Sequence, residues 1–224
     1  MTGTVVVAGG TGGLGSAVTA EFLRTGWRVV VPGRSEKSLA ALGTADALHT
    51  LVVDLNDPAG AAEVARVAGA DEETPVRAVV NLVGGFASGG RVHETPIEEF
   101  EAQLSLNLRP TYLVTQALLP QLIAAGGGSI TCTSSGSAIK PFSGAAGYIT
   151  AKAGVLAFVD ALAVEYAKDH IRANAILPGT IDTAANRRAR PAADTSTWTQ
   201  PARIANVVRL LTETPGVTGA HLSV

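Results

Sequence analysis

The segment Tyr148-Ile149-Thr150-Ala151-Lys152 sets a phenol and an ammonium four residues apart, one turn from each other on a single helix face. A free phenol has a pKa near ~10 and is a poor base at neutral pH. A fixed ammonium nearby favours the phenolate, so the pair offers a general acid/base tuned towards neutrality. The same spacing decorates many ordinary helix surfaces, and only other groups in the chain tell the two apart. Ser134-Ser135 adds hydroxyls at the end of the apolar run 128–133, where ligands bind in parallel sheets, although serines there are also common turn formers.

The elements that must position these groups alternate between strand and helix. Residues 4–8 are β-branched and uncharged, as in a strand buried on both faces. They run into Gly9-Gly10-Thr11-Gly12-Gly13-Leu14-Gly15, followed by a helical pattern over 17–24. Glycines at 9, 13 and 15 let the backbone turn tightly and approach a pyrophosphate, whose charge sits at the helix N-terminus. A plain loop can share that composition, but its place between a strand and a helix at the start of an α/β chain points to dinucleotide binding.

A second strand, 28–31, ends at Pro32-Gly33-Arg34-Ser35. An acid at that point would select a free ribose 2′-hydroxyl. None precedes Glu36, and Arg34 suits a 2′-phosphate, so NADP(H) is favoured over NAD(H); otherwise Arg34 is a solvated cation. A third strand, 49–53, leads to Asp54-Leu55, with Asp54 either accepting from an adenine amino group or capping the helix near Asp57-Pro58. A fourth, 76–83, closes with Asn81-Leu82-Val83-Gly84-Gly85.

Thr95-Pro96-Ile97-Glu98 has the form of a capping box opening one long helix, with Thr95 as N-cap and Pro96 first in the helix. Pro110 denies a donor to the Leu106 carbonyl, which predicts a kink or an inserted water beside Asn107. The helix carrying Tyr148 and Lys152 runs to about Lys168. A sixth strand, 172–177, ends in Pro178-Gly179-Thr180-Ile181-Asp182-Thr183. Residues 184–200 show little periodicity and read as a lid or binding loop whose arginines 187, 188 and 190 are solvated rather than ligands. A helix over 201–212 and an edge strand over 220–224 complete the chain. The expected fold is α/β, a single doubly wound Rossmann-type domain over 1–224, with a mostly parallel seven-stranded sheet and helices on both faces.

Composition excludes several classes. Hydrophobic residues reach 46% against 16% charged, which rules out a disordered chain. A net charge of −2 gives no reason to expect nucleic acid or an anionic membrane as partner. The single cysteine, Cys132, excludes an internal disulfide and fits a reducing compartment. Its apolar neighbours suggest a buried strand thiol. No metal-ligand spacing links His49, His93, His170 and His221. Residues 1–15 lack a secretory pattern and no apolar run reaches the ~18 residues of a membrane span, so a cytoplasmic protein is expected.

Together, Gly9-x-x-x-Gly13-x-Gly15, Asp54, Asn81-x-x-Gly84, Asn107, Ser135, Tyr148-x-x-x-Lys152 and Pro178-Gly179 with Thr183 resemble the short-chain dehydrogenase/reductase family over nearly the whole chain. Ser135 precedes Tyr148 by thirteen residues, the family's spacing, which favours it over Ser134. The resemblance implies nicotinamide-dependent carbonyl/alcohol interconversion on a small molecule. Ser135 would hold the substrate oxygen and Tyr148 would exchange its proton. Lys152 would lower the Tyr148 pKa and bind the nicotinamide ribose, and Asn107 would keep a water in the proton path. The stretch from Pro178 and Gly179 to Ile181 would lie along the nicotinamide, with Thr183 near its phosphates or carboxamide. The family commonly assembles as dimers or tetramers through the Tyr/Lys helix and the one before it. The apolar breadth of Val155, Leu156, Phe158, Val159, Leu162, Ala163 and Tyr166 is compatible with that.

Two departures mark this chain. Asn81-Leu82-Val83-Gly84 stands where the family usually has Asn-Asn-Ala-Gly, and a glycine-rich tail beyond Val224 is not expected to supply substrate contacts. Leu82 to Ala87 and Leu177 to Arg187 through Trp198 also resemble the dihydropteridine reductase branch, which generally carries an acid after the second strand where Arg34 stands here. A non-catalytic NADP(H)-sensing regulator is the alternative of another class, disfavoured by the intact Ser135, Tyr148 and Lys152. A sugar-nucleotide epimerase is disfavoured by the short stretch after Thr183.

Overall fold

The computed structural model describes residues 3–224. Seven strands form one sheet in the order β3-β2-β1-β4-β5-β6-β7. They are β1 (Thr4–Ala8), β2 (Arg28–Gly33), β3 (Leu48–Val52), β4 (Val76–Asn81), β5 (Gly128–Thr133), β6 (Ile171–Leu177) and β7 (His221–Ser223). Every pairing between them is parallel, so a sheet expected to be mostly parallel is wholly so.

The uninterrupted apolar runs of the inner strands are explained by burial on both faces. Val6 and Ala8 of β1 join a core with α3 (Pro58–Ala68), α5 (Arg109–Ala124) and α6 (Ala146–Glu165). Val5 and Val7 point the other way, into a core with α1 (Gly13–Arg24), α2 (Glu36–Ala40) and α8 (Pro201–Glu213). The first three strands build outward from β1, and β4 then returns to its opposite side. The reversal opens a crevice beyond the carboxyl ends of β1 and β4, the place where doubly wound sheets bind ligands.

Three local expectations are corrected. Thr95 does not cap a helix. Its hydroxyl donates to the carbonyls of Gly90 and Arg91, closing the short 3-10 turn Val92–Glu94, and α4 (Ile97–Asn107) starts after Pro96. The single long helix is two, because the chain breaks at Leu108 and α5 begins with Pro110 in its first turn, where a missing N–H costs nothing. Residues 184–200 contain α7 (Ala184–Ala189), capped by the Thr183 hydroxyl accepting from the Asn186 amide.

α6 is long and apolar enough, by length and composition alone, to cross a membrane, a property masked in the linear reading by Lys152 and Asp160. In the fold it lies along the sheet, with Ala151, Val155, Val159 and Leu162 buried, while Val164 is exposed.

The far end of the sheet is locked by Arg172 on β6. Its guanidinium donates to the carbonyls of Leu211 and Thr212 at the end of α8 and to that of Val217, groups the helix itself leaves unpaired. Arg172→Met keeps much of the apolar stem but strands the Thr212 carbonyl and leaves those of Leu211 and Val217 with only Ser129 and Asn174 as donors. It is expected to lower stability by ~2–4 kcal/mol, read as a shift of the urea midpoint at unchanged slope.

Candidate active site

The glycine-rich turn connects β1 to α1 at the crevice. A Cβ on Gly15 would lie 2.0 Å from the Gly9 carbonyl oxygen, so only glycine lets the helix start fold back against the turn. Gly12 is the N-cap of α1 without a capping side chain, and the first turn carries no acid. The amides of that turn are left to a phosphate, and the cradle fits a dinucleotide pyrophosphate. Leu14 anchors the helix by packing into the core. Thr11 is partly exposed at the rim, and Thr183 sits against Gly13, where an added Cβ would be 2.7 Å from its methyl.

The adenosine side is set by the ends of β2 and β3. Arg34 is exposed beyond β2, followed by Ser35, which caps α2. Asp54 accepts from the Asn56 amide at 2.9 Å and does not cap α3; Asp57 does, accepting from Ala59. Leu55 is buried in the core. The backbone of Asp54 approaches α3 so closely that a Cβ on Gly60 would reach its carbonyl, a requirement that nothing in the linear pattern signalled.

Asn81 shows a structural role for its side chain. Its side chain is 1% exposed and turns into the interior, donating to Thr115 Oγ1 at 3.0 Å and to the Cys132 sulfur. It ties β4 to α5 and β5 instead of reaching the crevice. Pro178 is buried at the end of β6, while Gly179 is exposed and Ile181 forms an isolated bridge with Thr199.

At the carboxyl ends of β4 and β5 the reactive side chains come together. Lys152 is 4% exposed, and its Nζ donates to the Thr133 carbonyl at 3.0 Å while lying 5.9 Å from the centre of the Tyr148 ring. Asn107, at the helix break, receives the Gly85 amide on Oδ1 at 3.1 Å and donates to the Gln103 carbonyl. Gly84 marks where the two converge. A Cβ there would lie 2.7 Å from Asn107 Oδ1 and 3.0 Å from Lys152 Nζ.

The two serines have separate tasks. Ser134 is buried and donates to the Lys152 carbonyl at 2.7 Å. Ser135 is the one beside Tyr148, and its hydroxyl accepts from the Ser137 amide and from Ser137 Oγ at 2.9 Å. Ser137 was not anticipated as a partner of Ser135, although a second serine two positions on is visible in the sequence.

The electrostatics differ from the expected coupling. Burial holds the Tyr148 phenol above its ordinary value, against a smaller downward pull from the Ser135 hydrogen bond. Lys152 is itself depressed to about 8, because burial disfavours its charged form. Its amine donates to the Thr133 carbonyl, and the downward pull on the phenol comes from Ser135 rather than from Lys152. Around neutrality this geometry holds the proton on Tyr148. Burial likewise pushes the Cys132 thiol up to about 12, leaving it inert.

The segment after β6 is clamped at its base. Asp182 pairs with Arg187 through both carboxylate oxygens and accepts from Gln200 Nε2 at 2.6 Å. Arg190 lies over the buried ring of Trp198. Two of the three arginines therefore hold the loop itself.

A family model described as short chain dehydrogenase matches residues 3–194. This chain belongs to that family. It is 33% identical over 188 residues to the uncharacterised oxidoreductase YxbG of Bacillus subtilis, covering 80% of this chain and 67% of that protein. It is 35% identical over 192 residues to a probable galactose dehydrogenase of Rhizobium meliloti, covering 82% and 73%. It is 31% identical over 191 residues to the 2-(R)-hydroxypropyl-CoM dehydrogenase of Xanthobacter autotrophicus, covering 82% and 76%. Among solved structures, a short-chain oxidoreductase of Burkholderia thailandensis superposes with a TM-score of 0.87 at 31% identity, over 100% of this chain and 91% of that one. ElxO with NADP bound shares the fold, with a TM-score of 0.91 at 23% identity over 100% and 97%.

In this short-chain dehydrogenase the meeting point of Lys152 and Asn107 is tight enough to test. Gly84→Ala is expected to cost ~1–3 kcal/mol by overpacking, whereas Gly89→Ala, where an added Cβ meets nothing within 4 Å, stays within ~0.5 kcal/mol of wild type. Urea denaturation of the two variants checks the contrast.

Proposed function

We propose that the protein interconverts a carbonyl and an alcohol using a nicotinamide cofactor, with Tyr148 as the proton donor during reduction. The convergence of Ser135, Tyr148, Lys152 and Asn107 at one crevice, facing a glycine cradle made for a pyrophosphate, carries this reading. Two relatives named as dehydrogenases support the class. When bound, the cofactor supplies the hydride. The protein's part is to orient the partners and manage the proton.

In this reading the Ser135 hydroxyl donates to the carbonyl oxygen. Oxyanion character developing there is met by the Tyr148 O–H, which transfers its proton as the alcohol forms. Lys152, with its ammonium beside Gly84, holds the cofactor ribose hydroxyls and supplies positive charge behind the phenol. Asn107, between Gly85 and Gln103, fixes the helix break so that a proton can be returned to Tyr148 from solvent. The amides at the start of α1 and the Thr183 side hold the phosphates. Arg34 favours the 2′-phosphate of NADP(H), since no acid stands at the end of β2.

The reading is tested by following NADPH and NADH oxidation over a carbonyl panel that includes quinonoid dihydropterin. Tyr148→Phe is expected to keep cofactor binding and lose ~10²–10⁴-fold in kcat, with NADPH giving the lower KM. Because burial raises the phenol, reduction should hold level through neutral pH. It should fall as Lys152 loses its charge near about 8. Cofactor binding with no turnover across the panel would instead favour the sensing role.

The apolar outer face of α5 and α6 supports a homo-oligomer as the working form. Tyr112 is 48% exposed there and tilts against Phe158 at 5.6 Å between ring centres, and Leu104, Leu108 and Gly154 line the adjoining groove. Burying this face against a second copy removes an apolar surface that has no other cover among the described residues. Sedimentation at a dimer or tetramer mass is expected, and a species of 22.7 kDa at micromolar concentration would overturn it.

A further inference from the structure

Three large apolar side chains of the two connections are left in water, and two of them are rings grouped with Tyr148. Phe86, in the β4–α4 connection, is 60% exposed; Ile139 and Phe142, in the β5–α6 connection, are 58% and 48% exposed. They are not scattered. The Phe86 ring meets the Tyr148 ring edge-on, with centres 5.1 Å apart and planes at 89°, and Phe142 tilts against Phe86 at 6.2 Å. The two connections are fastened to each other, because the Gly89 amide donates to the Gly144 carbonyl at 2.7 Å. The rings are therefore held by a backbone tie between two loops that are far apart in sequence.

A chain does not hold exposed phenylalanines in register beside its proton donor for stability, since neither is buried by the fold. Their faces are free for another ring, and paired aromatics prefer offset or edge-to-face contact at about 4.5–7 Å between centres. The charge of the surrounding loops narrows the partner. Over residues 84–90 and 136–144 the only ionisable side chain is Lys140, so the loops around the two rings offer no carboxylate and the rings themselves dominate the contact surface. Resting on the carbonyl/alcohol chemistry proposed above, we infer that Phe86 and Phe142 form a specificity wall for substrates whose carbonyl is borne on an aromatic ring. The ring lies against the two phenylalanines while its carbonyl oxygen reaches Ser135 and Tyr148.

The test uses two ketones of matched outline, acetophenone and cyclohexyl methyl ketone, with the cofactor-loaded wild type and the variants Phe86→Leu and Phe142→Leu. Leucine keeps an apolar side chain and removes the ring. Each variant is expected to lower kcat/KM for the phenyl ketone by about three- to tenfold, with the cyclohexyl ketone changed less than about twofold. Both variants lie on the surface and should melt with the wild type. Binding of the two corresponding secondary alcohols is measured in parallel by ligand-observed NMR, which needs no turnover. Equal losses for both ketones, or phenyl binding unchanged in both variants, would overturn the wall while leaving the catalytic reading intact. Selective phenyl binding that depends on Phe86, without turnover of either ketone, would uphold the wall and count against the catalytic reading.

Discussion

A lysine ammonium buried in the interior is the constraint around which the site is arranged. Removing a cation from water is costly unless polar groups receive it. Here the Thr133 carbonyl at the end of β5 receives Lys152 directly, and Ser134 holds the backbone of the same residue through its carbonyl. One strand end therefore fixes both the amine and the helix turn that carries it. Gly84 has no side chain to intrude, and the break before α5 brings the Asn107 amide alongside. Each of these features looks like a local oddity until the buried amine is taken into account.

The same burial divides the work between the two ionisable groups differently from a simple ammonium–phenolate pair. Low polarity around Tyr148 keeps its proton on, and low polarity around Lys152 loosens the proton there. The phenol is a stronger hydrogen-bond donor to an oxygen that gains negative charge than it would be in bulk water, where solvent competes. A site of this kind keeps its phenol protonated near neutrality.

Much of this was legible in the sequence. The βαβ alternation, the strand 128–133 and the glycine-rich turn come from period and composition, which act locally, while the choice of Ser135 to go with Tyr148 and Lys152 came from the family resemblance. What was not legible depends on contacts between distant segments. The inward turn of Asn81 is set by Thr115 and Cys132, the demand on Gly60 by the path of Asp54, and the aromatic wall by a tie between Gly89 and Gly144. Thr95 misled because Thr95-Pro96-Ile97-Glu98 has the form of a capping box, while its hydroxyl was already committed to the preceding turn. The direction of the Tyr148 shift was hidden for the same reason, since solvent exclusion is a property of the folded ensemble of loops.

The wholly parallel sheet has a consequence for how the chain acquires its shape. No two neighbouring strands can be joined by a hairpin, so each pairing waits for a complete crossover. The central one is the most delayed. Thr4 of β1 pairs with Val76, and about seventy residues must be made and ordered before it can form. Until then the valines of β1 have one of their two partners missing, and the unpaired edge is open to wrong association. Non-local order of this kind slows folding. The molecule's most apolar strands thus spend the longest time exposed during synthesis.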